Sequence, residues 1–303
     1  MASSRPDAEM TAYIERYLSF SGLSTASSID AQRADYDALV QRFRHPRPDN
    51  VTSRDTALRG RHGDIPLRYY RSGNDATGTL VMFIHGGGFV LGNLDTHDDI
   101  CADPCAGTGF ELVSVDYRLS PEYAHPVHLD DVEDAFIALE HERVILVGAS
   151  AGGTLAAALC HRLRGSPSQP LGQVLIYPSL GGDCFDLDSY HDNAQAPLLS
   201  TADIAFYRGA RCADGQIPLE DPEFYPLVAN DFSGLPPTVA FSADIDPLRD
   251  DSAVYVERLN AAGGQARWIN EPGLVHDYLR ARYASRVAGE AFARICAAVK
   301  SLV

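Results

Sequence analysis

Lysine is almost absent from this chain. Lys300 is the only one, and the remaining Lys-plus-Arg residues are all arginines. Basic charge is scarce altogether: 25 Lys and Arg stand against 41 Asp and Glu, a formal net charge of −16. So acidic a chain repels phosphate backbones and anionic lipid, which argues against nucleic-acid binding and against adsorption to a membrane surface. Long apolar runs are missing too. No stretch approaches the ~20 residues that span a bilayer, and Met1 to Asp7 lacks the apolar core of a signal peptide, so a soluble, cytoplasmic protein is expected. The six cysteines are scattered, and Cys101 and Cys105 do not have the CxxC spacing of a redox or zinc pair. Reduced thiols are expected, because a chain of 303 residues with 45% hydrophobic content can bury a core without a disulfide framework. Repeats and low-complexity segments are lacking, and the length suits one large α/β domain with an insertion.

The chain does contain a serine in an unusual setting. Gly148-Ala149-Ser150-Ala151-Gly152-Gly153 follows the apolar run Val144 to Val147 and opens into the helix-prone run Thr154 to Leu159. A serine among small residues at a strand-to-helix corner has the pattern of a nucleophile elbow, in which a tight turn lifts the hydroxyl above the sheet. The flanking glycines suit the strained backbone that such a turn requires. Alone, the pentapeptide also describes an ordinary tight loop.

Other motifs stand in a consistent order around it. His85-Gly86-Gly87-Gly88-Phe89 follows the buried-strand pattern Leu80 to Ile84. Successive glycines leave backbone N–H groups open, as an oxyanion hole requires. The alternatives are a flexible loop or a phosphate-binding turn, and no lysine follows to serve a phosphate. Downstream, Asp246 stands just beyond the strand Thr238 to Ser242, with Pro247 placed for the first turn of a helix through Val254 and Leu259. It reads either as a plain N-cap or as the carboxylate that orients a catalytic imidazole. Asp244 is the competing acid, and Asp250 and Asp251 read as solvated on the following helix. His276 comes after the strand-like run Ala266 to Ile269. The chain order Ser150, Asp246, His276, each at a strand end, matches the order expected of one fold.

Between these motifs, strand and helix patterns alternate. Residues 7–45 read as two helices, with Tyr13, Ile14, Tyr17, Leu18 and then Tyr36, Leu39, Val40, Phe43 at helical spacing. Antiparallel strands are predicted near 51–59 and 65–71, parallel strands at 80–84, 111–116, 143–148 and 174–177, and a helix over 127–141. Such alternation implies an α/β fold, a mostly parallel sheet with helices on both faces. The interval 181–217 breaks the rhythm, with a helix-like piece from Thr201 to Arg211. We expect the catalytic domain over 49–180 and 218–303, and a cap built from 181–217 together with the helices of 1–48.

These motifs resemble the hormone-sensitive-lipase branch of the α/β-hydrolases, the bacterial carboxylesterases with HGGG and GxSAGG. Val115 to Glu122 with Pro126, and Asp246-Pro247-Leu248 with Asp250-Asp251, carry the same resemblance. His85 to Asp98 and Gly273 to His276 are similar to the acetyl esterases of that branch. The resemblance covers roughly residues 50–303. It implies an α/β-hydrolase fold with a helical cap and oxyanion donors from the backbone of Gly87, Gly88 and Ala151. It also implies a small-molecule ester as substrate and a possible homodimer through a sheet edge. Ala149 and Asp277-Tyr278 depart from the family pattern, which often has Asp and Gly-Phe there. The expected reaction is hydrolysis of short acyl esters through an acyl-enzyme on Ser150, with His276 as base and Asp246 as its orienting group. No metal or organic cofactor is required, and His85, near His97 and Asp98, reads as a brace for the glycine loop. An amide, formamide or lactone substrate uses the same chemistry, and a non-catalytic ligand-binding relative is the remaining alternative. Phe20, Phe185, Phe206 and Tyr207 are candidates for shaping the pocket.

Overall fold

Eight strands among the described residues assemble into one sheet whose central members are short runs of mainly apolar, buried residues. The computed structural model describes residues 5–20, 28–73, 78–139, 143–213 and 215–303. The strands are β1 (Thr52–Gly60), β2 (Gly63–Arg71), β3 (Leu80–Ile84), β4 (Glu111–Val115), β5 (Val144–Ala149), β6 (Gly172–Ile176), β7 (Thr238–Ile245) and β8 (Ala266–Val275). Their order across the sheet is β1-β2-β4-β3-β5-β6-β7-β8. The β1–β2 and β2–β4 pairs are antiparallel, and every pairing from β4 through β8 is parallel. β3, β5 and β6 are buried throughout, as strands covered on both faces must be.

The helices supply that cover. They are α1 (Ala8–Phe20), α2 (Ile29–Phe43), α3 (Asp98–Thr108), α4 (Val127–Ala138), α5 (Ala151–Arg162), α6 (Asp188–Asp192), α7 (Thr201–Ala210), α8 (Arg249–Ala261) and α9 (Arg286–Lys300). Side chains alternate along β3. Val81 and Phe83 join a core with α3 and α9 residues such as Cys101 and Ile295, while Leu80, Met82 and Ile84 join a core with Leu129, Leu155 and Leu259 of α4, α5 and α8. The sequence-predicted strands match within a residue or two, except that β7 runs on to Ile245 and β8 to Val275, so that they reach Asp246 and His276 directly. Helix α4 ends at Ala138, and His141 lies outside the described residues. Cys101 and Cys105 are buried free thiols on α3.

Ion pairs tie α2 and the segment that follows it to the rest of the fold. The buried Asp98, at the start of α3 where the helix dipole favours an anion, accepts hydrogen bonds from Arg44 at 2.5 Å, Arg47 at 2.6 and 2.7 Å, and Arg68 at 3.1 Å. Tyr70 donates to the same carboxylate at 3.1 Å. Arg33 of α2 donates to the carbonyls of Val90 and Ser120, each at 2.9 Å, and forks onto Glu122. Asp98 is thereby tied to the N-terminal segment.

Candidate active site

The turn between β5 and α5 is tight because its glycines face backbone. A Cβ on Gly152 would stand 2.0 Å from the carbonyl oxygen of Ile84, closer than any real contact. Ser150 itself sits at φ 53°, ψ −119°, a strained conformation for a residue with a side chain. That strain is held by packing on both sides, and by the Ser150 N–H donating to Ile176 O at 2.9 Å. The result is a hydroxyl raised above the strand ends.

The three sequence-predicted side chains converge there. Ser150 Oγ lies 2.9 Å from His276 Nε2, and His276 Nδ1 lies 2.6 Å from Asp246 Oδ2. Asp246 is fully buried and His276 is 7% exposed, so bulk water does not compete for these bonds. The two readings of Asp246 divide between its oxygens. Oδ1 accepts from Leu248 N at 2.9 Å at the head of α8, while Oδ2 faces the imidazole. Asp244 points elsewhere and accepts from Asn270 Nδ2 at 2.9 Å. Asp250 pairs with Arg249, and Asp251 is not solvated: it is buried and accepts from the N–H groups of Leu180 and Gly182.

The glycine loop lies beside the serine. Gly87 adopts φ +121°, and a Cβ there would meet Leu91 O at 2.1 Å, so only glycine fits. The carbonyl of Gly87 is turned back to accept from Val90 and Leu91 at 3.0 and 2.8 Å. The N–H groups of Gly87, Gly88 and Ala151 have no acceptor among the described residues. His85 braces the loop through Nδ1 to its neighbour's carbonyl, Gly86 O, at 2.8 Å, and its ring stacks on Tyr117 at 4.4 Å. Burial pulls the His85 imidazole down to about 4, so it is neutral in the working range.

Two cavities flank Ser150. The larger, about 100 Å³, is walled by Tyr17 of α1, Tyr36 of α2, Tyr177, Tyr207, His276 and Asp277. The smaller, about 40 Å³, runs under α7 past Leu199, Ile204, Phe224 and Arg211. Tyr207 lines both. Of the aromatic candidates only Tyr207 reaches the site; Phe20 and Phe185 are 41% and 39% exposed, and Phe206 lines neither cavity. Asp277 departs from the family glycine yet keeps a positive φ of 60°, and its carboxylate pairs with the buried Arg280 at 3.0 Å. Sequence reasoning did not find Tyr177, Leu199 or Arg211, and no local pattern marks them. Among the described residues one group has metal-ligand spacing, His125, Asp221 and Glu223, but it lines neither cavity, and Glu223 is already held by Arg162.

Comparison with known proteins agrees with this architecture. Residues 81–280 match a family described as alpha/beta hydrolase fold. Carboxylic ester hydrolase LipN of Mycobacterium tuberculosis is 33% identical over 290 residues, covering 90% of this chain and 76% of the relative. Ethyl acetate hydrolase of Pseudomonas putida is 30% identical over 249 residues, covering 77% of each. The crystal structure of DphMB1 superposes with a TM-score of 0.88 at 30% identity, covering 99% of both chains. No helix among the described residues is long and apolar enough to cross a membrane. The chain belongs to the alpha/beta hydrolase fold family, as an enzyme of its carboxylic ester hydrolase branch.

Proposed function

We propose that this enzyme hydrolyses short-chain acyl esters through an acyl-enzyme on Ser150. The observation that carries the reading is the unbroken chain of hydrogen bonds from Asp246 through His276 to Ser150, beside unclaimed N–H groups. Ser150 Oγ attacks the ester carbonyl as its proton passes to His276 Nε2. The carbonyl oxygen becomes an oxyanion held by two of the N–H groups of Gly87, Gly88 and Ala151, each such donor worth roughly 10²–10³ in rate. Collapse breaks the bond to the alcohol oxygen, which leaves with the proton from Nε2. Water then attacks the acyl-serine, again deprotonated by His276, and the acid departs as Ser150 recovers its proton. Asp246 holds Nδ1–H and so keeps Nε2 available as base.

Cavity size supports short acyl groups. The leaving alcohol must receive a proton from Nε2, and His276 lines only the larger cavity. The alcohol therefore belongs on that side and the acyl group in the smaller cavity of about 40 Å³, which suits a short chain. Crowding of this kind discriminates by about 1–3 kcal/mol per methylene. Segment 181–217 with α1 and α2 acts as a cap, supplying Tyr17, Tyr36 and Tyr207 to the cavity walls. The name of the Pseudomonas relative, an ethyl acetate hydrolase, points the same way.

The test is hydrolysis of p-nitrophenyl esters from acetate to decanoate by the wild type and by Ser150→Ala. Activity should peak between acetate and butyrate and vanish in the variant. A maximum at octanoate or longer would overturn the short-acyl reading, and an active Ser150→Ala would overturn the acyl-enzyme.

A further inference from the structure

Five arginines of this chain are buried: Arg68, Arg211, Arg249, Arg280 and Arg282. Four of them rest on carboxylates. Arg68 pairs with Asp55, Asp95 and Asp98, Arg249 with Asp250, Arg280 with Asp277, and Arg282 with Asp99 and Asp103. Arg211 has none within 4.0 Å among the described residues, although it is only 3% exposed. A buried cation without a counter-ion is strongly disfavoured, so its retention here asks for a partner.

The surroundings of Arg211 define what is missing. Its guanidinium lies between two aromatic rings, 3.7 Å from the Phe89 centroid and 3.9 Å from that of Phe224. Both faces are thus covered, which offsets part of the desolvation. Nη1 donates to Phe224 O at 3.3 Å. Nε and Nη2, which share the other edge, have no hydrogen-bond partner although they are buried. That edge is the planar fork that takes both oxygens of a carboxylate. Burial draws the group down to about 10, which still leaves it charged at neutral pH.

Arg211 lines the smaller cavity, whose wall also includes Ser150 and Ala151. Leu199, Ile204 and Leu248 supply an apolar wall, and no Asp or Glu among the described residues lines the space. Nearby acids have other hydrogen-bond partners: Asp221 bonds His125 and reaches Arg211 only as a longer-range attraction, Glu223 pairs with Arg162, and Asp183 with Arg208. We propose that the acyl group of the substrate ends in a carboxylate, with Arg211 as its counter-ion, so that the enzyme cleaves half-esters of short dicarboxylic acids. This rests on the ester-hydrolase reading and on the assignment of the acyl group to the smaller cavity. The apolar wall takes the methylene stem, and Arg211, in the cavity wall, takes the terminal carboxylate by turning its buried, unpartnered Nε–Nη2 edge toward it.

The experiment compares substrates of equal acyl carbon count and a common alcohol, followed in a pH-stat: monoethyl succinate against ethyl butyrate, and monoethyl glutarate against ethyl valerate. The readout is the ratio of kcat/KM for half-ester to neutral ester. The expected ratio is tenfold or more in the wild type, falling to one or below in Arg211→Met. A wild-type ratio at or below one, with ethyl butyrate cleaved, overturns the proposal and leaves the ester-hydrolase reading intact. Failure to cleave any of the esters overturns both. A readout without turnover uses Ser150→Ala: monoethyl succinate should raise its Tm where ethyl butyrate at the same concentration does not. Equal shifts would overturn the proposal even if Arg211→Met failed to fold.

Discussion

Replacing Asp246 by Asn tests the site most sharply, because the structure dictates how the amide must sit. Asp246 Oδ1 is held by the Leu248 N–H at 2.9 Å, so the amide oxygen of Asn takes that place and its NH2 faces His276 Nδ1 at about the former 2.6 Å. Two donors cannot share that contact. Nδ1 gives up its hydrogen, Nε2 carries it instead, and the nitrogen 2.9 Å from Ser150 Oγ becomes a donor rather than a base. The same tautomer error in a serine-protease triad lowers kcat about 10⁴-fold, equivalent to ~5.5 kcal/mol of barrier, and a loss of that order is expected here. Asp244→Asn is the matched control, since Asp244 contacts Asn270 and not the imidazole. It should change kcat by less than about tenfold, under ~1.4 kcal/mol. The assay is steady-state kcat on p-nitrophenyl acetate, with circular dichroism melts to establish folding. Equal losses in the two variants, or a greater loss in Asp244→Asn, would refute the assignment of Asp246 as the orienting group.

Three further outcomes follow from the geometry. Gly87→Ala forces a Cβ against Leu91 O and displaces the loop, so kcat should fall by at least about 10²-fold, the value of one oxyanion donor, and wild-type turnover would show that the loop does not bind the oxyanion. Tyr207→Ala joins the two cavities, so the p-nitrophenyl ester profile should shift toward longer acyl chains; an unchanged profile would free Tyr207 from any part in selectivity. Burial pushes the Asp116 carboxyl up to about 6, above its value in the unfolded chain, so its contribution to stability is present below about pH 4 and is lost as pH rises through 6. Asp116→Asn should therefore gain about 2–3 kcal/mol relative to the wild type in urea titrations at pH 8 compared with pH 4, and a pH-independent difference would contradict the burial.

Local chemistry made much of this enzyme legible before any coordinates. Apolar runs of strand length, the glycines around Ser150 and the triple glycine after Ile84 each act within a few neighbouring residues, so their meaning survives in the linear chain. The strand–helix alternation that they punctuate specifies a parallel sheet, because parallel neighbours need a crossover between them. The order of Ser150, Asp246 and His276 along the chain follows from the same logic, each standing where a strand ends.

What the sequence could not determine is whatever depends on residues far apart in the chain meeting in space. Asp251 reads as solvated because it is charged and near a helix start, yet the turn at Leu180 to Gly182 closes over it and donates two backbone N–H groups to its Oδ2. The cavity walls join Tyr17, Tyr36, Tyr177, Tyr207 and His276, and no periodicity connects them. Arg211 is the clearest instance. In the chain it is one more arginine at a helix end with Asp221 and Glu223 close downstream as apparent partners. The fold commits both acids to other bases and closes two phenylalanine rings over the guanidinium. Sequence alone determined the elements and which candidate groups stand at the strand ends, since those rest on short-range sterics and hydrogen bonding. Tertiary packing alone decided which charges are satisfied and how much space lies beside the serine, because both are set by contacts that exist only once the sheet and its covering helices have closed.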